Sequence, residues 1–205
     1  NTQAQNVGIG TTNPLARLHV TDSNVIFSAP YLASAPHVPI SGGGRRMMWL
    51  PSLAAFRAGF VNSTQWDIDN VGEYSVAMGS ATTASGVGSI AIGTGNIASG
   101  IASVAFGETA TSSGNYSFSA GRFSIANDLY SVAIGFRDTA NGEGAVALGT
   151  NTKASSYSLT FGASSKASDN YSLSGGYRSL AAGQASIAIG NLDTATQIGS
   201  VAFGQ

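Results

Sequence analysis

Apolar and small residues alternate in a five-residue pattern, here called the pentad, that recurs along the last two thirds of the chain. The pattern is Ser, apolar, small, apolar, Gly, as in Ser131-Val132-Ala133-Ile134-Gly135. The closing glycines are Gly79, Gly93, Gly107, Gly121, Gly135, Gly149, Gly162, Gly176, Gly190 and Gly204. They lie 14 residues apart, except for 13 between Gly149 and Gly162. Alternation with period 2 predicts a β-strand, and a fixed repeat length predicts stacked structural units.

A small residue five positions after each closing glycine indicates a second, shorter strand. These residues are Ala84, Ala98, Ser112, Ala126, Ala140, Ala154, Ala167, Ala181 and Ala195. Turn dipeptides such as Ser85-Gly86 and Asn141-Gly142 follow. Fourteen glycine-rich residues hold two short strands and two tight turns, not two helices. We therefore predict that each repeat forms one coil of a parallel β-solenoid, with coils about 4.8 Å apart.

The two faces of the pentad predict that the solenoid is oligomeric. Val76 and Met78 point to one face of their strand, and Ser75 and Ala77 point to the other. Neither face carries a charge in any repeat. A 14-residue coil is too thin to bury both faces, so one face fills the interior and the other needs a neighbouring chain.

Irregular repeats give two further expectations. Ala120 and Gly175 shrink the second apolar position, and we interpret Phe123 and Tyr177 as rings that fill the space; display of these rings to solvent is the alternative. The 13-residue repeat is expected to lose its residue in the turn near Ser155, because a slip within the strand would turn its apolar face outward.

Composition narrows the class of protein. Only 9% of the residues are charged, against roughly 25% in ordinary soluble domains. The net charge of −1 gives no positive excess for nucleic acid. The chain has no cysteine, and it contains no apolar run long enough for a transmembrane helix. The small residues Thr2 and Ala4 near the start fit a removed signal peptide, although an arbitrary starting point is the alternative.

The repeats resemble the head domain of trimeric autotransporter adhesins, the YadA-like head. Ser89-Ile90-Ala91-Ile92-Gly93 and Ser186-Ile187-Ala188-Ile189-Gly190 match the family's repeat, and the resemblance covers residues 72–205. It implies a left-handed parallel β-roll, three chains packed into a homotrimer, and adhesion to a surface. Residues 6–20 are similar to the opening of fibre-like proteins, which occurs in exported bacterial surface proteins and in phage tail fibres.

Residues 1–71 carry no repeat and are expected to form a β-rich cap on the first coil. Strands are predicted over residues 15–20, 24–27, 45–50 and 54–60. A short helix over residues 52–57 is the alternative. The prolines and glycines between Pro30 and Gly44 predict a long loop. A cap suits a solenoid, because an open end exposes strand edges.

Residues 1–71 also hold the few candidates for ligand chemistry. His19 and His37, the two histidines, do not supply enough ligands for a metal. Residues 67–70 begin like a calcium loop, but Val71 breaks the pattern, and a turn is favoured. Residues 42–46 lack the ending of a phosphate-binding loop, so a flexible loop with surface arginines is favoured. We therefore expect no metal, no cofactor and no enzyme activity.

Tyrosines precede the pentad serine in five repeats and are the candidate surface-binding residues. They are Tyr74, Tyr116, Tyr130, Tyr157 and Tyr171. Part of this set is expected to form a ladder along one side of the rod. Exposed tyrosines suit protein or glycan recognition; packing beneath turns or at a chain interface is the alternative. Lys153 and Lys166 occupy equivalent positions in adjacent coils and are expected to splay into solvent.

These observations favour a secreted or cell-surface adhesin head that binds a host or environmental protein or glycan through many weak contacts. A tail-fibre segment of a phage or a contractile injection particle is the alternative. An ice-binding solenoid needs a regular threonine array, and the threonines here are scattered.

Overall fold

The computed structural model describes residues 7–21, 25–28 and 37–204, which fall into two compact units, Asn1–Tyr31 and Leu32–Gln205. In the first unit, β1 (Val7–Ile9) pairs in parallel with β2 (Leu18–Val20). The predicted strand over 15–20 is thus confirmed only for its last three residues. The strand predicted over 24–27 is wrong for residues 25–27, which form no strand; Asn24 lies outside the described residues.

The second unit begins with an antiparallel hairpin. β3 (Gly44–Leu50) pairs with β4 (Ala55–Val61), and a 3-10 turn, Pro51–Leu53, joins them. Ala54 ends that turn in the left-handed conformation, with φ of 47°. The two predicted strands are confirmed, and the alternative helix over residues 52–57 is wrong. Pro51 lacks the donor that a strand needs, so the chain turns there and resumes as a strand.

The repeats fold as predicted into a parallel β-solenoid whose coils each contain a long and a short strand. The long strands are Val76–Ser80, Ile90–Thr94, Val104–Glu108, Phe118–Arg122, Val132–Phe136, Val146–Thr150, Leu159–Ala163, Leu173–Tyr177, Ile187–Asn191 and Val201–Phe203. The short strands are Thr83–Ala84, Ile97–Ala98, Thr111–Ser112, Ile125–Ala126, Thr139–Ala140, Lys153–Ala154, Lys166–Ala167, Leu180–Ala181 and Thr194–Ala195. The long strands, with β4 and β3, make a twelve-stranded sheet, and the short strands make a nine-stranded sheet.

The long-strand sheet extends into the non-repeating residues. β4 pairs in parallel with Val76–Ser80, and Gly59 aligns with Gly79. Its residues Ala55 to Gly59 thus continue the column of pentads, although Arg57 occupies the place of a small residue. The division at residues 71 and 72, and the cap, stay predictions.

Small residues fill the narrow interior. The pentad alanines, such as Ala91 and Ala133, and the alanines of the short strands, such as Ala98, are fully buried. The pentad serines point to the same side and are also buried. Where the short-strand column has Ser112 instead of alanine, its hydroxyl group donates to Ser119 Oγ at 2.7 Å across the interior. A coil of this width has no room for larger side chains.

The two apolar positions of each pentad therefore point outward. Val76 is half-buried, and Ile134 is 41% exposed in the single chain. The Ser and Ala face fills the interior, and the apolar face is the one left without cover. Alternation places the whole apolar set on one side of the sheet.

One of the two volume predictions is wrong. A Cβ atom built on Gly175 would lie 2.1 Å from Phe161 Cζ. The ring that occupies the space at Gly175 thus comes from the preceding coil, and Tyr177, at the strand end, is 48% exposed. Phe123 packs edge-on against Phe136, with ring centroids 6.2 Å apart.

The short repeat keeps its register, as predicted. Leu159 pairs with Val146 below and with Leu173 above, and Phe161 pairs with Leu148. Three residues lie between Ala154 and the next pentad serine, Ser158, whereas four lie between Ala140 and Ala145 in the preceding coil. The missing residue is therefore lost from the turn near Ser155.

Two large side chains are buried where the solenoid begins. Arg57, aligned with Ala77, donates to the carbonyl oxygens of Phe56, Ser75 and Ala84 and to Ser75 Oγ, at 2.8–3.0 Å. Arg57 forms no ion pair with any of the described carboxylates, and burial lowers the pKa of Arg57 to about 10. Trp66 Nε1 donates to the carbonyl oxygen of Thr82 at 2.9 Å. The side chains of Arg57 and Trp66 thus fill the interior next to Ala77, the first pentad alanine.

Candidate binding and assembly surfaces

An apolar stripe runs along the outward face of the long-strand sheet. It consists of the second and fourth pentad residues, and it continues through Phe56 and Ala58 of β4 to Trp49 and Met47 of β3. Twelve strands at about 4.8 Å give a stripe about 50 Å long. Contiguous apolar surface on this scale is typical of a protein interface.

The stripe is bounded on one side by the turns that enter the long strands, here called the tyrosine edge. Its tyrosines are Tyr74, Tyr116, Tyr130, Tyr157 and Tyr171, all with φ between 56° and 60° and all about half exposed. Tyr116 stacks on Tyr130 with centroids 5.5 Å apart, and Tyr157 stacks on Tyr171 at 5.4 Å. The predicted ladder is therefore two stacked pairs, with Tyr74 separated from them by two coils.

Tyr157 has the most distinctive environment of the five. Its ring lies over Gly144, where an added Cβ would be 3.1 Å from Tyr157 Cδ1. A hydrogen bond with the Glu143 side chain raises the pKa of Tyr157. This bond holds the phenol against the preceding turn.

The other side of the stripe is bounded by the turns that leave the long strands, here called the arginine edge. The charged and aromatic residues at the two positions that follow each closing glycine are Glu108, Arg122, Phe123, Phe136, Arg137, Tyr177 and Arg178. Arg122 Nε lies 3.1 Å from Glu108 Oε2. Arg137 lies 5.1 Å from the Phe136 ring centroid, and Arg178 lies 5.2 Å from that of Tyr177. Guanidinium groups at such distances from aromatic faces are attracted by the ring quadrupole.

The short-strand sheet presents a different surface. Its outward column is Thr83, Ile97, Thr111, Ile125, Thr139, Lys153, Lys166, Leu180 and Thr194. Lys153 and Lys166 pair in register, and both are exposed. None of the nine residues in this column is aromatic.

The candidates for ligand chemistry in the non-repeating residues have structural partners. Asp67 Oδ1 accepts a hydrogen bond from the Gly42 amide, and residues 68–70 form a 3-10 turn, as the turn interpretation predicted. The flexible loop predicted over residues 42–46 is wrong from Gly44 onward, where β3 begins, although Arg45 is exposed as predicted. Arg46 is half-buried, donates to the Gly42 carbonyl at 2.6 Å, and lies 5.8 Å from the Trp66 ring centroid. His19 Nδ1 accepts from the Leu15 amide at 3.2 Å.

One buried carboxylate was missed by the sequence analysis. Asp138 is fully buried in the turn after its long strand, and its Oδ1 accepts from the amide and the hydroxyl group of Thr152. In an earlier coil Asn96 takes the equivalent position and bonds to Ala110 and Gly107. The position, three residues after each closing glycine, could have been found from its uniformly small or polar residues.

Comparison with known families assigns the repeats. The family model for the YadA head domain repeat (2 copies) matches residues 71–96, 98–124, 140–158 and 181–205. The repeat region belongs to the YadA head family. No curated protein matches the chain.

The match confirms, at the level of the family, the resemblance seen in the pentads. YadA heads are adhesin domains. The family's heads are homotrimeric and lie at the cell surface. Among the described residues, no helix has the length and apolarity to cross a membrane. The family match gives no target, and the five tyrosines stay a predicted binding set.

Proposed function

We propose that the chain is a homotrimeric adhesin head that attaches to host, matrix or other surfaces through many weak contacts along a rigid rod. The observation that carries this proposal is the uncovered apolar stripe on a YadA-type solenoid. In one chain the stripe leaves side chains such as Phe106, Ile134 and Phe161 36–41% exposed. Burial of apolar surface contributes about 25 cal/mol per Å², so a stripe of this length favours association.

Trimer formation accounts for both pentad faces. The Ser and Ala face is buried within each chain, and the apolar face would be buried among three chains. The trimer axis would then lie parallel to the rod, with the long-strand sheets facing inward. The short-strand sheets would form the outside.

The outer face suits distributed binding rather than a single pocket. Each coil contributes one threonine, isoleucine, leucine or lysine side chain to the outward column, and neighbouring coils are about 4.8 Å apart. Each coil would offer hydroxyl, aliphatic or cationic contacts of low individual affinity. Three copies on one rod raise the effective concentration of every contact after the first one forms, so avidity supplies the strength.

The test is a binding screen of the purified trimer on arrays of glycans and matrix proteins. The deletion of residues 87–114 removes two whole coils, joins Gly86 to Asn115 in register, and leaves the coils of Arg137 and Arg178 intact. We expect the full rod to bind at least one target class, and the shortened rod to bind the same class more weakly. No binding by a folded trimer would contradict the adhesin assignment. Unchanged or abolished binding after the deletion would indicate a single local site.

A further inference from the structure

The exposed charges that have no ion-pair partner in the chain differ in sign between the two edges of the apolar stripe. The tyrosine edge has acidic residues beside its aromatic rings, at Glu73, Asp128, Glu143 and Asp169. All three arginines of the coils, Arg122, Arg137 and Arg178, lie on the arginine edge, with Glu108 at the same turn positions. Two further acids, Asp138 and Asp193, come one residue later in these turns, where the side chain of Asp138 is fully buried. A long strand of five residues spans about 17 Å. The two edges of one chain are thus too far apart for their charges to pair.

The three arginines differ in whether they have an ion-pair partner within their own chain. Arg122 pairs with Glu108 of its own chain, the one ion pair among the described residues. Its coil carries the uncharged Asn115 at the tyrosine edge. Arg137 and Arg178 lie beside aromatic rings of their own chain and form no ion pair among the described residues. Among the described residues, the coils of Arg137 and Arg178 are thus the two whose arginine has no ion-pair partner in its own chain.

Those two coils carry an aspartate at the opposite edge. The coil of Arg137 has Asp128 and Tyr130 there, and the coil of Arg178 has Asp169 and Tyr171. Both aspartates occupy a position that is glycine in most of the other coils, including Gly86 and Gly114. Coils with Gly88, Ala102, Gly144 or Ala185 in place of the tyrosine have no arginine at their other edge.

We propose that the arginine edge of one chain docks on the tyrosine edge of the next chain around the trimer. This inference rests on the trimer proposed above. In a closed ring of three chains each contact is heterologous, so one edge of a chain meets the opposite edge of its neighbour. The arginine edge of each chain would therefore lie against the tyrosine edge of the next. Rotation about the rod axis leaves each coil at its own height. Arg137 then meets Asp128 and Tyr130 of the partner subunit, and Arg178 meets Asp169 and Tyr171 of the partner subunit.

This docking explains the chemistry of both edges. Each arginine would gain a carboxylate and an aromatic face, in addition to the ring that it already contacts. The contacts would also fix the axial register of the chains, since a shift by one coil would leave Arg137 opposite Gly144. The tyrosines are thereby assigned to assembly, with the short-strand face left for the target.

Cross-linking tests the geometry directly, because the chain has no native cysteine. The variant Asp128→Cys with Arg137→Cys would be treated with a short bis-maleimide as a folded trimer. We expect covalent dimers and trimers on a denaturing gel. The control, Asp128→Cys with Lys153→Cys, carries its second thiol on the short-strand face and should stay monomeric on the gel. Equal cross-linking of both variants, or none in the first, would overturn the docking.

Charge reversal tests the energetics. Arg137→Asp with Arg178→Asp places like charges across six pairs per trimer, and the dissociation constant of the trimer should rise on the order of 100-fold. The fourfold variant that adds Asp128→Arg and Asp169→Arg restores opposite charges and should recover most of the loss. Lys153→Asp with Lys166→Asp is the matched control and should leave the trimer unchanged.

The outcomes separate this inference from the trimer itself. A monomeric wild-type chain would overturn both proposals. A wild-type trimer that is insensitive to the arginine reversal, or that the fourfold variant does not rescue, would overturn only the docking of the edges. Loss of target binding by Tyr130→Ala with Tyr171→Ala, while the trimer keeps its stability, would place the tyrosines on the target surface and likewise overturn the docking.

Discussion

Replacement of Gly121 by alanine is the sharpest single-residue test of the stacked coils. Gly121 has φ of +109°, and a Cβ atom there would lie 2.1 Å from the carbonyl oxygen of Gly135 in the next coil. Non-bonded carbon and oxygen atoms need about 1 Å more than this, so the backbones of two coils must move apart. The carbonyl oxygen belongs to the strand ladder and cannot rotate away as a side chain would.

The magnitude follows from these two terms. A strained backbone conformation costs about 1–3 kcal/mol. The displacement of the ladder adds a cost comparable to overpacking, about 1–3 kcal/mol. We expect a loss of about 4 kcal/mol per chain, which lowers the unfolding midpoint by about 10 °C for a chain of this length.

Gly88→Ala is the matched control. Gly88 also has a positive φ, +67°, but its nearest neighbour to an added Cβ is Ala102 Cα at 3.9 Å. Alanine already occupies the same turn position at Ala102 and Ala185, with φ of 51° and 53°. Thermal unfolding followed by circular dichroism should place this variant within about 3 °C of the wild type. Equal midpoints for the two variants would refute the account of backbone stacking.

Three further predictions address the interior, the stripe and the tyrosine edge. Ala133→Leu should lower the unfolding midpoint by several degrees, because it overpacks the interior by about 3 kcal/mol. The control Ile97→Leu, on the exposed face of the short-strand sheet, should change the midpoint little; the reverse order would show that the interior is assigned wrongly. Ile134→Asp should dissociate the trimer, because a buried unpaired charge costs several kcal/mol in each chain. Sedimentation velocity should show this dissociation for Ile134→Asp but not for the control Lys153→Asp. An intact Ile134→Asp trimer would mean that this position faces solvent. Glu143→Gln should lower the pKa of Tyr157 toward the ordinary value near 10, measured by NMR titration of the ring carbons, and an unchanged titration would exclude the hydrogen bond.

Periodicity predicted the solenoid, its coil length and the site of the missing residue, because these depend on local alternation and on the spacing of turns. It could not decide which pentad face is buried. Both faces are uncharged, and the choice depends on the width of the coil, which admits Ala133 but not Ile134. Side-chain reach between coils was also invisible in the sequence, so the ring at Gly175 was assigned to Tyr177 rather than to Phe161.

The strand β4 was recognised as a strand but not as a pentad. Arg57 stands where every repeat has Ala, Ser or Thr, and this departure hid the alignment of Gly59 with Gly79. The two edges were overlooked for a different reason. Their residues lie seven or more positions apart within a repeat, and only the stacking of coils places Arg137 and Arg178 along one side and Asp128 and Asp169 along the other.

The mass of the chain in solution tests the central claim most directly. Sedimentation equilibrium at micromolar concentration should give three times the chain mass of 20.6 kDa, and Ile134→Asp should give the mass of one chain. A stable wild-type monomer would contradict the account, because the apolar stripe would then face water along its whole length.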